Sequence, residues 1–176
     1  MSYSISDKRT KNVAEAVRKV MGLTNLKENV SMELLTQLKK ILADGYVFYF
    51  KAHTFHWNVE GSKFPQYHEF FSEIYEEVFG NLDPIAEQIR ALGAYAPTAL
   101  SQLLSMTSLT EAAGVLSPQQ MVNDLLSDNE KVIQGLIAGY RLAESANEPG
   151  LSNFLQDLVD KHKKLSWKLT STGKGI

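Results

Sequence analysis

Four stretches of this sequence carry apolar residues at the spacing of an amphipathic helix, and no useful length alternates at the period of a strand. Ser31 reads as an N-cap, followed by Leu34, Leu35, Leu38, Ile41 and Leu42. The pattern continues through Tyr46, Phe50 and Trp57, a helix of roughly 28 residues. Residues 58–62 (NVEGS) have turn composition, and Pro65 suits the first turn of a second helix running to Leu92, with Gly93 as its C′ residue. Ser117-Pro118-Gln119-Gln120 supplies a cap, an N1 proline and a glutamine at N3, opening a third helix that runs to about Ser145. Asn147-Glu148-Pro149-Gly150 breaks it, and a fourth helix covers Leu151 to Leu169, with Phe154, Leu158 and Leu165 on its apolar face. The short first turn and the long stretch 94–116, which reads as a connection holding one short helix, predict an all-α four-helix bundle with a long middle crossover. The expected organisation is a basic N-terminal tail over 1–30, with a short helix at 13–21, the bundle over 31–170, and a short C-terminal tail over 171–176.

A chain of 176 residues can bury one sizeable core. Its apolar runs fall well short of the ~20 residues of a membrane span. The opening MSYSISDKRTKN lacks the apolar stretch of a secretory leader, so a soluble, cytoplasmic protein is expected. The absence of cysteine removes disulfides, thiolate zinc sites and cysteine nucleophiles. Any metal must therefore be held by nitrogen and oxygen. Charge is distributed unevenly. Residues 1–30 set Lys8, Arg9, Lys11, Arg18, Lys19 and Lys27 against Asp7, Glu15 and Glu28, a surplus of +3. With −2 overall, the remainder carries −5. A basic front end on an acidic body suits a tail that touches phosphates and a body that attracts cations.

Three of the four histidines, His53, His56 and His68, lie close together, and Asp83 and Glu87 follow. Imidazole with carboxylate suits iron, zinc or manganese. His56 falls about one turn before the end of the first helix and His68 about one turn into the second, so an antiparallel turn brings them face to face. Asp83 and Glu87 are four apart and share a helix face. Yet Asp83 is fifteen residues from His68, ~22 Å along a continuous helix. Metal–ligand bonds are ~2.0–2.2 Å. One continuous helix cannot close these four ligands on one ion. Either the helix folds back at Pro84, or a second copy across a two-fold axis supplies its own Asp83 and Glu87; the second is favoured, since Ile85, Ile89 and Leu92 resume the apolar spacing after the proline. A simpler account has His56 packed beside Trp57 and Glu87 paired with Arg90 on a solvated face.

The stretch KAHTFHWNVEGSKFPQYHEFF, followed by NLDPIAEQIRALG, resembles the Dps proteins, the miniferritins of starved bacterial cells. The matching residues are His56-Trp57, His68, Asp83, Glu87 and the helix end Leu92-Gly93, with a further W-x-L at Trp167-Lys168-Leu169. The resemblance spans most of 31–169 and implies a hollow homo-dodecamer with ferroxidase sites at two-fold interfaces. Iron(II) would be oxidised there, typically by hydrogen peroxide, and the ferric product stored inside. It also implies that Trp57 quenches stray radicals, and that the basic tail (Lys8, Arg9, Lys11, Arg18, Lys19) contacts DNA without reading its sequence, placing the protein at the nucleoid. One departure stands out. Ser72 occupies a place where the family usually has Asp, so a second iron would depend on Glu69, Glu73 or His53. Asn153 similarly stands where an acidic pore residue is expected.

Two other readings remain. An architectural DNA binder with a vestigial iron site would rest on the tail. A larger ferritin builds its di-iron site within one bundle from Glu-x-x-His pairs, and none occurs in this sequence.

Overall fold

The computed structural model describes residues 5–174, with side chains from residue 31 onward. The elements are α1 (Ile5–Asn58), α2 (Phe64–Ala91), the short α3 (Leu100–Met106), α4 (Pro118–Ser145) and α5 (Pro149–Gly173). No strand occurs among the described residues. α2 buries Tyr67, Phe71, Ile74, Val78, Leu82, Ile85 and Ile89, a run of three- and four-residue steps that keeps one stripe against the core. α5 does the same with Leu151, Leu155, Leu158, His162, Leu165 and Leu169. α1 meets them with Leu38, Ile41, Phe48, Ala52 and Phe55. No described helix is long and apolar enough to cross a membrane.

Pairings between helices fix the topology. Gln37 donates to the carbonyl of Gly135 on α4, while Lys51, further along α1, pairs with Asp124. α1 and α4 are therefore antiparallel. His56 meets His68, so α1 and α2 are antiparallel as well. Hence α2 and α4 point the same way, and the crossover returns the chain to the end where α2 began, as expected of a long middle connection. Asp44, 2% exposed, ties that crossover down. Its carboxylate accepts from the Thr107 hydroxyl at 2.8 Å, from the Ser108 backbone N–H at 2.6 Å, and from Lys40.

The helix ends follow local chemistry. Ser117 and Gln120 form the expected capping box. α2 closes in a Schellman arrangement: Gly93 N–H donates to Arg90 and Ala94 N–H to Ile89, with Gly93 at φ 83. Asn147, at φ 61, takes the same role after α4. Pro84 sits inside α2 without ending it. Gly80, whose carbonyl the proline leaves without its helical donor, lies exposed to water.

Two expected boundaries move. Ser31 does not cap a helix, because α1 runs straight through it and absorbs the separate helix expected at 13–21. Val20, Leu23, Leu26, Val30 and Leu34 continue the helical spacing with no proline between them, and that periodicity outweighs the capping preference of one serine. At the other end α5 extends beyond Leu169 to Gly173, alongside the start of α4.

Candidate metal centre

The turn joining α1 to α2 is tight. Val59, 2% exposed, plugs into the core and donates its N–H to Phe55. Gly61, at φ 116, reverses the chain, and Phe64 N–H returns to the Gly61 carbonyl at 3.0 Å. This places His56, in the last turn of α1, against His68, early in α2. The imidazoles stack with centroids 3.6 Å apart and planes 21° apart. Each ring is held by the other residue's backbone: Nδ1–H of His56 donates to the His68 carbonyl at 2.7 Å, and Nδ1–H of His68 donates to the His56 carbonyl at 2.8 Å. A carbonyl only accepts, so both hydrogens sit on Nδ1 and both Nε2 atoms keep a lone pair. That is the tautomer a metal-binding imidazole needs, set by its backbone partners.

His53 lies one turn earlier on α1. Its ring stacks on Tyr75 at 4.1 Å and lies 4.3 Å from Trp57, and its Nδ1 is 3.2 Å from the Tyr49 hydroxyl. Burial, then the charge of nearby His56, lowers its pKa. Trp57 itself is 57% exposed. The sequence reading did not single out Tyr49 and Tyr75. Their signals were spacing alone: Tyr49 is four before His53, and Tyr75 is seven after His68 on the same face of α2.

The acids stand apart. Asp83 and Glu87 are exposed and make no hydrogen bond or ion pair with another described residue. Because α2 is continuous, the ~22 Å between His68 and Asp83 is real and a fold-back at Pro84 is ruled out. Arg90 does not pair with Glu87; it donates to the Ala94 carbonyl at 3.0 Å and lies over the Tyr95 ring. Among the described residues, no three His, Asp or Glu side chains gather where they could hold one ion. Phe64, His68, Ser72, Tyr75, Phe79 and Asp83 follow one stripe of α2, with Phe79 56% exposed and Phe64 41% exposed on it.

The remaining candidates fare differently. The Ser72 hydroxyl donates to the Glu69 carbonyl of its own helix at 2.8 Å. Glu73 is drawn to Lys168 of α5 at 3.1 Å. Glu69 is exposed and makes no side-chain bond to another described residue. The side chains of Lys8, Arg9, Lys11, Arg18 and Lys19 lie outside the described residues, as does any contact they make.

The ferritin-like domain family matches residues 35–174. A low temperature-induced protein of Nostoc is 34% identical over 157 residues, 88% of this chain and 86% of that protein. DNA protection during starvation protein 2 of Bacillus anthracis is 31% identical over 140 residues, 80% of this chain and 96% of that protein. Among solved structures, Dps from Thermosynechococcus elongatus superposes with a TM-score of 0.81 at 26% identity, covering 84% of this chain and 94% of that one. A Vibrio cholerae Dps, described as a member of a broad superfamily of ferritin-like diiron-carboxylate proteins, gives 0.78 at 26% identity, covering 81% and 90%. The bundle, its extra crossover helix and these similarities agree: this chain belongs to the ferritin-like proteins and, within them, to the Dps miniferritins.

Proposed function

We propose that this protein is a ferroxidase and iron store, with iron(II) as substrate at a site shared between two chains. One chain contributes His56 and His68, and a second contributes its Asp83 and Glu87. The observation that carries this reading is the separation along α2: at its start His68 meets His56 of α1, both rings with free Nε2 lone pairs, and toward its end stand the bare carboxylates of Asp83, ~22 Å from His68, and of Glu87 one turn further. Nitrogen and carboxylate oxygen are donors that suit iron(II), and they accept zinc or manganese too. A two-fold axis across α2 would join the halves twice, making two identical sites at once. The exposed Phe64 and Phe79 on the same stripe supply the apolar surface such a pairing would cover.

At the site, two iron(II) ions each give one electron to hydrogen peroxide, which takes up two protons and leaves as two waters. The protein's part is to hold the imidazoles in the right tautomer, to bring carboxylate charge against the ion, and to keep Trp57 near enough to reduce a stray oxidant. The ferric product would be stored inside a dodecamer. The basic residues Lys8, Arg9, Lys11, Arg18 and Lys19 are proposed to touch DNA phosphates. Retardation of DNA in a gel at low salt, lost at higher salt, is the expected result, and no retardation at low salt removes that role. The iron reading is tested by anaerobic iron(II) titration followed by peroxide, with native mass read on the same sample. Saturable binding, rapid oxidation and a twelve-chain mass are expected; absence of saturable binding, or of peroxide-driven oxidation, overturns it.

A further inference from the structure

We propose that the cleft between α2 and α5 binds one divalent first-row metal ion, held by Nε2 of His162 and the carboxylate of Glu77, with the Asn81 amide oxygen as a third donor. The site is separate from the histidine pair, because Glu77 follows His68 by nine residues, ~14 Å along α2. His162, Glu77 and Asn81 line the same small cleft, together with Val78, Lys161 and Leu165. Its free space is about 10 Å³, room for a single ion or water.

The imidazole is set by α4. The His162 carbonyl, which can only accept, takes a hydrogen from Asn129 Nδ2 at 2.8 Å. Asn129 must then turn its Oδ1 to the ring, 2.6 Å from Nδ1, so the ring hydrogen sits on Nδ1 and Nε2 keeps a lone pair. An outer oxygen that holds Nδ1–H is how a ligating histidine is oriented. Nε2 has no hydrogen-bond partner among the described residues, although His162 is only 7% exposed. With Nδ1 turned to α4, the Nε2 edge is what the ring brings to the cleft with α2. Burial, then the charge of Lys161, lowers the pKa from 6.5 to about 4, so at neutral pH no proton occupies that lone pair.

The carboxylate comes from α2. Two cross-helix pairs bracket Glu77: Glu73 with Lys168 at 3.1 Å one turn before it, and Asn81 Oδ1 with Lys161 Nζ at 3.1 Å one turn after it. Glu77 itself is exposed, and its carboxylate has no hydrogen bond or ion pair with another described residue. The Asn81 amide nitrogen donates to the Glu77 carbonyl, which leaves its oxygen facing α5. Imidazole nitrogen, carboxylate and amide oxygen suit zinc, cobalt(II) or iron(II), with water completing the shell. Lys161 is the opposing charge at the cleft; its exposed ammonium gives up Asn81 when an ion binds.

The test is anaerobic calorimetry with cobalt(II) alone on assembled protein carrying His56→Ala and Asp83→Ala, which disable both halves of the shared site. One saturable ion per chain is expected in that background. Glu77→Gln, at an exposed position that leaves the core alone, should weaken binding at least ~10-fold, and His162→Gln should abolish it. Lys161→Met, which removes the opposing charge, should tighten binding a few-fold. Absence of saturable binding in the background protein, unchanged affinity in either Glu77→Gln or His162→Gln, or no gain from Lys161→Met would each overturn the proposal. None of these outcomes bears on the shared site, which is read by iron(II) oxidation in the wild type.

Discussion

The two ends of α2 carry the two halves of the proposed site, and the structure treats them in opposite ways. At the start, His68 is locked to His56 by a reciprocal pair of backbone hydrogen bonds and a ring stack. Toward the end, Asp83 and Glu87 project without a partner among the described residues. The histidine half is preorganised inside one chain, because the turn after α1 brings both rings together. In the proposed site, the acid half would gain its partner from another chain. A folded chain that ties down one half and leaves the other bare fits a site completed by assembly.

The largest effect should come from breaking either half. His56→Ala and Asp83→Ala should each slow iron(II) oxidation about 100-fold or more, since losing even an outer-shell partner of a ligand costs ~10–100-fold. Stopped-flow absorbance of the ferric product measures it. Equal losses from residues ~22 Å apart in one chain would tie the two ends to a single reaction.

A fourth histidine sharpens the contrast from the other side. His162 is also bonded through Nδ1, to Asn129 at 2.6 Å, but it is buried, and burial lowers its pKa from 6.5 to about 4. The folded state thus prefers the neutral ring, and the unfolded state binds more protons between those values. Stability from this group is intact above pH 6.5, falls as pH drops toward 4, and is lost below it. The shift corresponds to about 3 kcal/mol. Denaturant unfolding of wild type at pH 7.5 and pH 4.5 should show this decline, and His162→Gln should flatten it.

The same comparison marks what could be read in advance. The bundle, the capping box at Ser117, Gly93 as a helix terminator and the position of the His pair were legible, because each depends on residues within a turn or two of one another. The clasp between His56 and His68 was not, since it runs through backbone carbonyls that every sequence has. Nor were the buried charges. Lys51 looks like part of a surface stretch, yet it is 4% exposed and bridges Asp124 and Asp128 of α4, more than seventy residues away. Asn129, which donates to the His162 carbonyl and to Ser166, is the same case. Burial of these groups is decided by which helices pack together, and helical spacing alone does not specify that. The failed cap at Ser31 has the opposite lesson: a local signal lost to a longer periodicity already present in the chain.

The smallest effects concern stability at the two ends. His68→Ala removes the ring stack and the Nδ1–H bond to the His56 carbonyl, and should cost about 1–2 kcal/mol, or a few degrees in thermal midpoint. Asp83→Ala, with no described contact to lose, should stay within about 0.5 kcal/mol of wild type in a dissociated chain. Comparable destabilisation by both substitutions would erase the difference between the locked and the bare half.

The most direct measurement is complementation. His56→Ala and Asp83→Ala chains, differently tagged, are assembled together and mixing is verified by native mass. In a mixed pair, one of the two sites unites an intact histidine half with an intact acid half, while the other unites two damaged halves. Random mixing should therefore restore about one quarter of the wild-type oxidation rate. A rate no higher than that of either variant alone, with mixing verified, would contradict a site shared between two chains.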